Sequence, residues 1–101
     1  MYIYNVTTQV SWAIHEDWLK WMQLEHIPEV VGTGNFTHHR MVRLLEVDEA
    51  DGPTYAVQYF TNTLQQYHNY LQNHAGIMRQ KAAEVWENEA VSFRSLMEVV
   101  H

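Results

Sequence analysis

Two tryptophans, a methionine and a histidine recur in one short stretch, at spacings that could form the wall of a pocket. Trp18, Met22 and His26 follow one another at intervals of four residues, and Trp21 lies among them. Side chains four residues apart share one face of a helix. Large aromatic and thioether groups on such a face either fill a core or line an apolar pocket that holds a flat small molecule. Both interpretations stay open at the level of sequence.

His26 precedes Pro28, at which we expect the helix to end or kink because proline lacks an amide and clashes with the preceding turn. A histidine near a helix C-terminus is favourably placed for protonation. The mouth of a pocket would therefore open at His26. The alternative is a histidine that bonds only the last carbonyls or solvent.

Three polar residues stand within otherwise apolar strands. Asn5 and Gln58 are embedded in the first and third apolar segments, and Arg94 lies in the last one. Few but well-placed polar groups orient a ligand in a pocket, and arginine binds a carboxylate through a planar fork. The alternatives are local hydrogen bonds for the two amides, and an ion pair with Glu46 or Glu98 for the arginine.

Composition disfavours several classes of function. The chain has no cysteine, so disulfides, thiolate metal sites and a cysteine nucleophile are excluded. His38 and His39 are adjacent in a predicted strand and point to opposite faces, so no metal site is expected. No nucleophile motif or phosphate-binding loop is present, and no cofactor is expected. A formal net charge of −6 with only six Lys and Arg residues disfavours nucleic-acid binding. No apolar run is long enough to cross a membrane, and we expect a cytoplasmic protein.

The order of the predicted elements gives the fold class. Strand-forming residues predict strands over 1–10, 36–47, 54–61 and 90–100. One amphipathic helix follows a possible cap at Ser11 and ends at Pro28, and a second follows the Thr63 capping box and runs to Val85, with a bend or break near Gly76. The order βαββαβ predicts an α+β, ferredoxin-like plait over residues 1–101, a four-stranded antiparallel sheet with two helices on one face.

Both faces of the predicted sheet are apolar, although two helices can cover only one of them. Strand three offers Tyr55, Val57 and Tyr59 on one side and Ala56 and Phe60 on the other. A large uncovered apolar face marks an interface, and two-fold packing of sheet against sheet closes it most simply. We therefore expect a homodimer.

These residues resemble an uncharacterised bacterial domain-of-unknown-function family of about hundred-residue proteins in the dimeric α+β barrel superfamily. The resemblance covers nearly the whole chain and rests on YNVT at 4–7, on His15, Trp18 and Trp21-Met22, on HIPEV at 26–30, on TYAVQY at 54–59 and on FR with EVV within 93–100. The chain departs from the pattern at Ala75-Gly76, where Ala-Pro is expected. The resemblance implies a barrel-forming dimer and brings no established activity.

The wider superfamily includes cofactor-independent monooxygenases, isomerases and haem-degrading enzymes, several with a ligand pocket between the sheet and the helices. The haem-degrading members carry an asparagine on the first strand, a tryptophan, and a histidine on the second helix. Asn5 and His74 occupy comparable elements, but no tryptophan stands between strand three and His74, which disfavours haem. Our leading hypothesis is a homodimer that binds a small apolar or aromatic molecule in this pocket, with or without catalysis. The alternative is a structural or regulatory dimer.

Overall fold

The computed structural model describes all 101 residues and contains one antiparallel sheet of four strands. The strands are β1 (Tyr2–Val10), β2 (His38–Arg43), β3 (Thr54–Thr61) and β4 (Ala90–Glu98). They lie in the order β2-β3-β1-β4, so the first strand is paired on both sides and β2 and β4 form the edges. This is the strand order of the ferredoxin-like plait, and the predicted fold class is confirmed.

Two long helices connect the strands, and each contains a π-helical turn. The first, residues 15–32, consists of α1 (His15–Trp21), a π turn (Met22–His26) and α2 (Ile27–Gly32). The second, residues 64–86, consists of α3 (Leu64–Tyr70), a π turn (Leu71–Ala75) and α4 (Gly76–Trp86). In the first π turn the Ile27 amide donates to the Met22 carbonyl, five residues back. Each π turn therefore shifts the later residues of its helix around the axis.

The predicted helix ends need three corrections. Pro28 does not end the first helix but lies in the first turn of α2, where the π turn has already interrupted the regular pattern and a missing amide costs little. Ser11 does not cap α1, which begins at His15; its hydroxyl instead donates to the carboxylate of Glu89. The helix does not break at Gly76, since the irregularity is the π turn that precedes it.

Two strands are shorter than predicted. The second ends at Arg43 because Glu46 takes a positive φ of 58° and turns the chain away from β3. Phe36 precedes that strand and packs into the core, with its ring 5.0 Å from that of Tyr70. The last strand ends at Glu98, and beyond it the Val99 amide donates to the carbonyl of Met1.

Alternation along the strands divides the sheet into a helix face and an open face. The helix face carries Tyr4, Val6, Thr8, Tyr55, Val57, Tyr59, Ser92 and Arg94. The open face carries Ile3, Asn5, Thr7, Ala56, Gln58, Phe60, Val91, Phe93 and Met97. Val91 and Phe93 are 66% and 65% exposed on the open face. The long helices thus cover one face and leave a partly apolar face uncovered.

Candidate functional site

A cavity of about 210 Å³ remains between the long helices and the helix face of the sheet. Its floor is formed by strand residues, among them Tyr4, Val6, Thr8, Tyr59, Ser92 and Arg94. One wall comes from the first helix, through Trp18, Trp21, Met22, His26 and Val30. The opposite wall comes from the second, through Tyr70, Met78, Arg79, Ala82 and Trp86. The large side chains of the first helix therefore leave the gap between helices and sheet only partly filled.

The π turn of the first helix determines which of its side chains reach the cavity. In a regular helix of about 3.6 residues per turn, residues spaced by four drift steadily around the axis. The wider turn at Met22–His26 offsets this drift, so that Trp18, Met22, His26 and Val30 all line the cavity. Trp18, Met22 and Val30 are buried there.

Stacked rings hold His26 in place and join the two helices. The imidazole lies 4.7 Å from the ring of Trp21 with the planes 22° apart, and Trp21 meets Trp86 edge to face at 5.7 Å. Such pairs contribute about 0.5–1.5 kcal/mol beyond their buried area. The side of the cavity between the helices is therefore built from three interlocked rings.

Burial keeps His26 neutral. It lowers the pKa of the imidazole to about 4, with the positive charges of Arg94 and Lys81 acting in the same direction and Glu29 opposing them. The expectation of a histidine favoured for protonation at a helix end is therefore wrong, because the helix continues past it. His26 makes no hydrogen bond within the chain, and its neutral ring keeps a nitrogen lone pair that can accept a proton or a hydrogen bond.

Three tyrosines bring hydroxyl groups to the cavity. Tyr4, Tyr59 and Tyr70 are nearly fully buried, and the ring of Tyr4 lies 6.0 Å from that of Tyr59 and 5.6 Å from that of Tyr70. Burial raises the pKa of both Tyr59 and Tyr70 well above the ordinary value, so these phenols stay protonated. None of the three hydroxyls is hydrogen-bonded to another group of the chain, whereas Tyr55 bonds His15 at 2.7 Å. Their oxygens are not among the fully buried unpaired atoms, so water or a ligand in the cavity can reach and bond them.

Trp86 adds an unpaired donor to the same lining. Its indole Nε1 is buried and has no hydrogen-bond partner in the chain. An indole nitrogen can only donate, and a buried donor without an acceptor costs about 1–3 kcal/mol. On the floor, Thr8 and Ser92 are already bonded to each other at 2.7 Å. The indole of Trp86 therefore needs an acceptor from water or from a ligand in the cavity.

Three charged residues also contribute to the lining. Arg79 lies on α4, Arg94 on β4, and Glu87 follows α4 at the start of a short 3-10 turn. Glu87 has a φ of 52° and a ψ of −126°, a conformation that side chains rarely adopt. Backbone strain of this kind costs about 1–3 kcal/mol and is concentrated at functional sites.

The candidate residues from the sequence divide into two groups. Trp18, Met22, His26 and Arg94 line the one cavity together. Asn5 and Gln58 lie opposite each other on the open face, across the sheet from the cavity, and the amide of Asn5 donates to the Thr7 hydroxyl at 3.0 Å. His74 does not line the cavity; its ring stacks on that of Tyr70 at 6.1 Å.

Odd and even residues of a strand face opposite sides, which explains the position of Asn5: Tyr4 and Val6 face the helices, so the residue between them cannot.

Sequence reasoning missed Arg79, Tyr70 and Trp86 as lining residues. The predicted apolar stripe of the second helix ended at Val85, yet Val85 is half exposed and Trp86 packs inward. The four-residue spacing of Met78, Ala82 and Trp86 was the available signal.

Neither a metal cluster nor a membrane helix is found in the chain. No group of three or more His, Cys, Asp and Glu residues is placed to hold a metal ion. No helix combines the length and the apolar character that a membrane crossing requires.

Solved structures with low sequence identity share the fold along almost the whole chain. An EthD-family protein from Bacillus halodurans superimposes with a TM-score of 0.67 at 8% identity, over 98% of this chain and 100% of the other. SnoaB, a cofactor-independent oxygenase from Streptomyces nogalater, has a TM-score of 0.64 at 14% identity, over 99% and 94% of the chains. A dimeric ferredoxin-like protein from an uncultured marine organism has a TM-score of 0.61 at 13% identity, over 99% of this chain and 96% of the other. At these identities the likeness establishes the fold alone.

No curated protein matches the sequence. A family model does match it, over residues 1–100, and its description is a domain of unknown function, DUF4286. Since the match covers nearly every residue, the chain belongs to the DUF4286 family.

Proposed function

We propose that this protein binds a small, planar, largely apolar molecule in the cavity between its helices and sheet. The observation that carries the proposal is the cavity itself, about 210 Å³ that Trp18, Trp21 and Met22 leave open. An apolar cavity of about 150 Å³ can hold a benzene molecule. The volume is therefore suited to one or two fused rings with a small substituent.

The lining supports a flat ligand in two ways. Aromatic rings on both helices and on the floor offer faces and edges for stacking. The free hydroxyls of Tyr4, Tyr59 and Tyr70 and the indole NH of Trp86 offer hydrogen bonds that would fix its orientation. Large apolar contact with a few directional donors is typical of pockets that select a small molecule by shape.

Catalysis without a cofactor is the finer part of this proposal. The neutral imidazole of His26 has a free lone pair next to the cavity, and its lowered pKa makes it a weak base, so it can accept a hydrogen bond or take a proton only from an acidic C–H or O–H group of a ligand. The neutral tyrosine hydroxyls can stabilise the resulting anion by donating hydrogen bonds. Proton transfer of this kind is the residue-borne step shared by isomerase-like and cofactor-independent oxygenase-like reactions, and SnoaB, which shares the fold, is a cofactor-independent oxygenase.

Naphthamide, an uncharged two-ring probe, tests the binding proposal by calorimetry. We expect a dissociation constant on the order of 0.1 mM, given the affinity that a ligand of this size can reach. Ala82→Trp places an indole in the cavity and should weaken binding at least about tenfold. Ala50→Trp, which adds the same side chain to an exposed loop, should bind as the wild type does. Absence of naphthamide binding at about ten times the expected constant would refute the proposal and favour a dimer without a ligand.

We also infer that the protein is a homodimer in which the open faces of two sheets pack together. Strands of about 30 Å at a spacing of about 4.8 Å give the open face roughly 500 Å². Two such faces bury about 1,000 Å², the level that a specific interface should reach. The fold is also that of a protein described as dimeric. Across this face, Arg40 pairs with Gln58, Gln58 with Asn5 and Asn5 with Ser95, and this polar row, between rows that carry Phe60 and Phe93, would fix the register of the two copies.

A further inference from the structure

Arg79 and Arg94 line the cavity without an acidic partner. The two salt bridges of the structure join Arg43 to Glu49 at 3.0 Å and Lys81 to Glu29 at 2.7 Å. Neither cavity arginine takes part in an ion pair or in a side-chain hydrogen bond. In a chain with twelve Asp and Glu and only six Lys and Arg, an arginine has many possible partners. Arg40 and Lys20 are also unpaired, so the distinguishing feature is that two free guanidinium groups line the same cavity.

The two arginines come from different elements, but the charges of both affect the same cavity residue, Tyr70. Arg79 belongs to α4 and Arg94 to β4, and the charges of both lower the pKa of Tyr70, against burial and Tyr4, which raise it more strongly. Arg94 also contributes to the lowered pKa of His26, behind the larger effect of burial. The positive potential of both groups therefore converges on the cavity, although the chain as a whole is acidic.

The remaining charges of the lining leave this potential in place. His26 is neutral, and Glu87 is the one carboxylate of the lining, so the cavity keeps one net positive charge. The chain has a formal net charge of −6. The unpaired indole donor of Trp86 also favours a ligand that carries an acceptor.

We propose that the natural ligand is a planar ring compound bearing a carboxylate, whose oxygens are bound by Arg79 and Arg94 while its ring lies among the aromatic side chains. The proposal rests on the ligand-binding function given above and specifies its chemical class. Guanidinium groups match carboxylates in a planar, two-bond geometry that an ammonium group does not provide. Both arginines are exposed, so they lie at the solvent side of the cavity, where a ligand could enter carboxylate last.

A matched pair of probes, naphthoate and naphthamide, isolates the charge. They have nearly the same shape, so the ratio of their affinities measures the contribution of the carboxylate. We expect naphthoate to bind the wild-type protein roughly tenfold more tightly than naphthamide. In the double variant Arg79→Gln, Arg94→Gln the ratio should fall to about one or below. Lys20→Gln removes an exposed positive charge elsewhere and should leave the ratio as in the wild type.

Two further measurements keep the test decisive. Glu87→Gln removes the opposing carboxylate and should strengthen the binding of naphthoate relative to that of naphthamide. In the wild type, added salt should weaken naphthoate but not naphthamide, because exposed charges are screened, and this holds even if the double variant does not fold. The proposal that the ligand bears a carboxylate would be overturned if the wild type bound both probes with equal affinity. It would also be overturned if the ratio of the two affinities stayed the same in a folded double variant. If the wild type bound neither probe, the underlying binding function would be overturned instead.

Discussion

Burial of His26 makes the stability of this protein depend on pH in a way that one substitution should remove. The pKa of the folded state is about 4, against an ordinary value of 6.5. Between these values the unfolded chain binds a proton that the folded chain does not, so the free energy of unfolding falls as the pH is lowered through 6.5 and levels off below about 4. The burial that keeps His26 neutral in the cavity thus costs stability in acid.

The magnitude follows from the two pKa values. A shift of one unit corresponds to about 1.4 kcal/mol, and integration from pH 7 to pH 5 gives a loss of about 2 kcal/mol in the free energy of unfolding. The ring is not fully enclosed, so this is an upper value. Urea unfolding at the two pH values should show the loss in the wild type. In His26→Gln, which cannot take up a proton, the loss should be smaller by about 1–2 kcal/mol.

His68→Gln is the matched control, because His68 is exposed and its substitution should leave the pH dependence of the wild type intact. Other groups also titrate in this range, so the result is the difference between the variants and not the absolute loss. If His26→Gln loses as much stability between pH 7 and pH 5 as the wild type and His68→Gln do, the conclusion that His26 is buried in its neutral form is refuted. A direct titration of the His26 ring by NMR that gave its ordinary pKa would do the same.

Three further outcomes are expected. Phe93→Asp places a charge on the open face and should yield the 12.0 kDa chain in light scattering where the wild type gives twice that mass; a wild-type monomer at micromolar concentration would contradict the dimer. Glu87→Gly should raise the free energy of unfolding by about 1 kcal/mol, because glycine relieves the positive φ, and unchanged stability would argue against strain there. Gly52→Ala should lower it by more than about 2 kcal/mol, since the added Cβ would lie 1.6 Å from the Val10 carbonyl oxygen at a φ of 148°; a mild effect in thermal melts would show that this loop can shift.

The sequence pattern was sufficient to predict the fold because the patterns of the strands, of the helices and of the helix cap all predict the same order of elements. Alternating apolar residues in the strands, an amphipathic pattern in the helices and the Thr63 cap all specify βαββαβ, and the Thr63 hydroxyl does accept from the Gln66 amide at 3.2 Å. The predicted ends of the strands were less accurate. The chain turns at Glu46, and the position of that turn depends on where β3 no longer provides hydrogen-bond partners for β2. That information lies in the pairing of two strands and not in either one.

For the site, the sequence indicated that Trp18, Met22, His26 and Arg94 could share a pocket, because spacing along one element is a local property. It could not place Asn5 and Gln58, since alternation tells which residues share a face but not which face the helices cover. It also gave no sign of the two π turns, the first of which lies within a helix that continues past His26. Those depend on how each helix packs against the sheet, as do the burial of His26 and the placing of Arg79 and Arg94 in one cavity lining. Tertiary structure alone decides them, because they arise between elements distant in the chain.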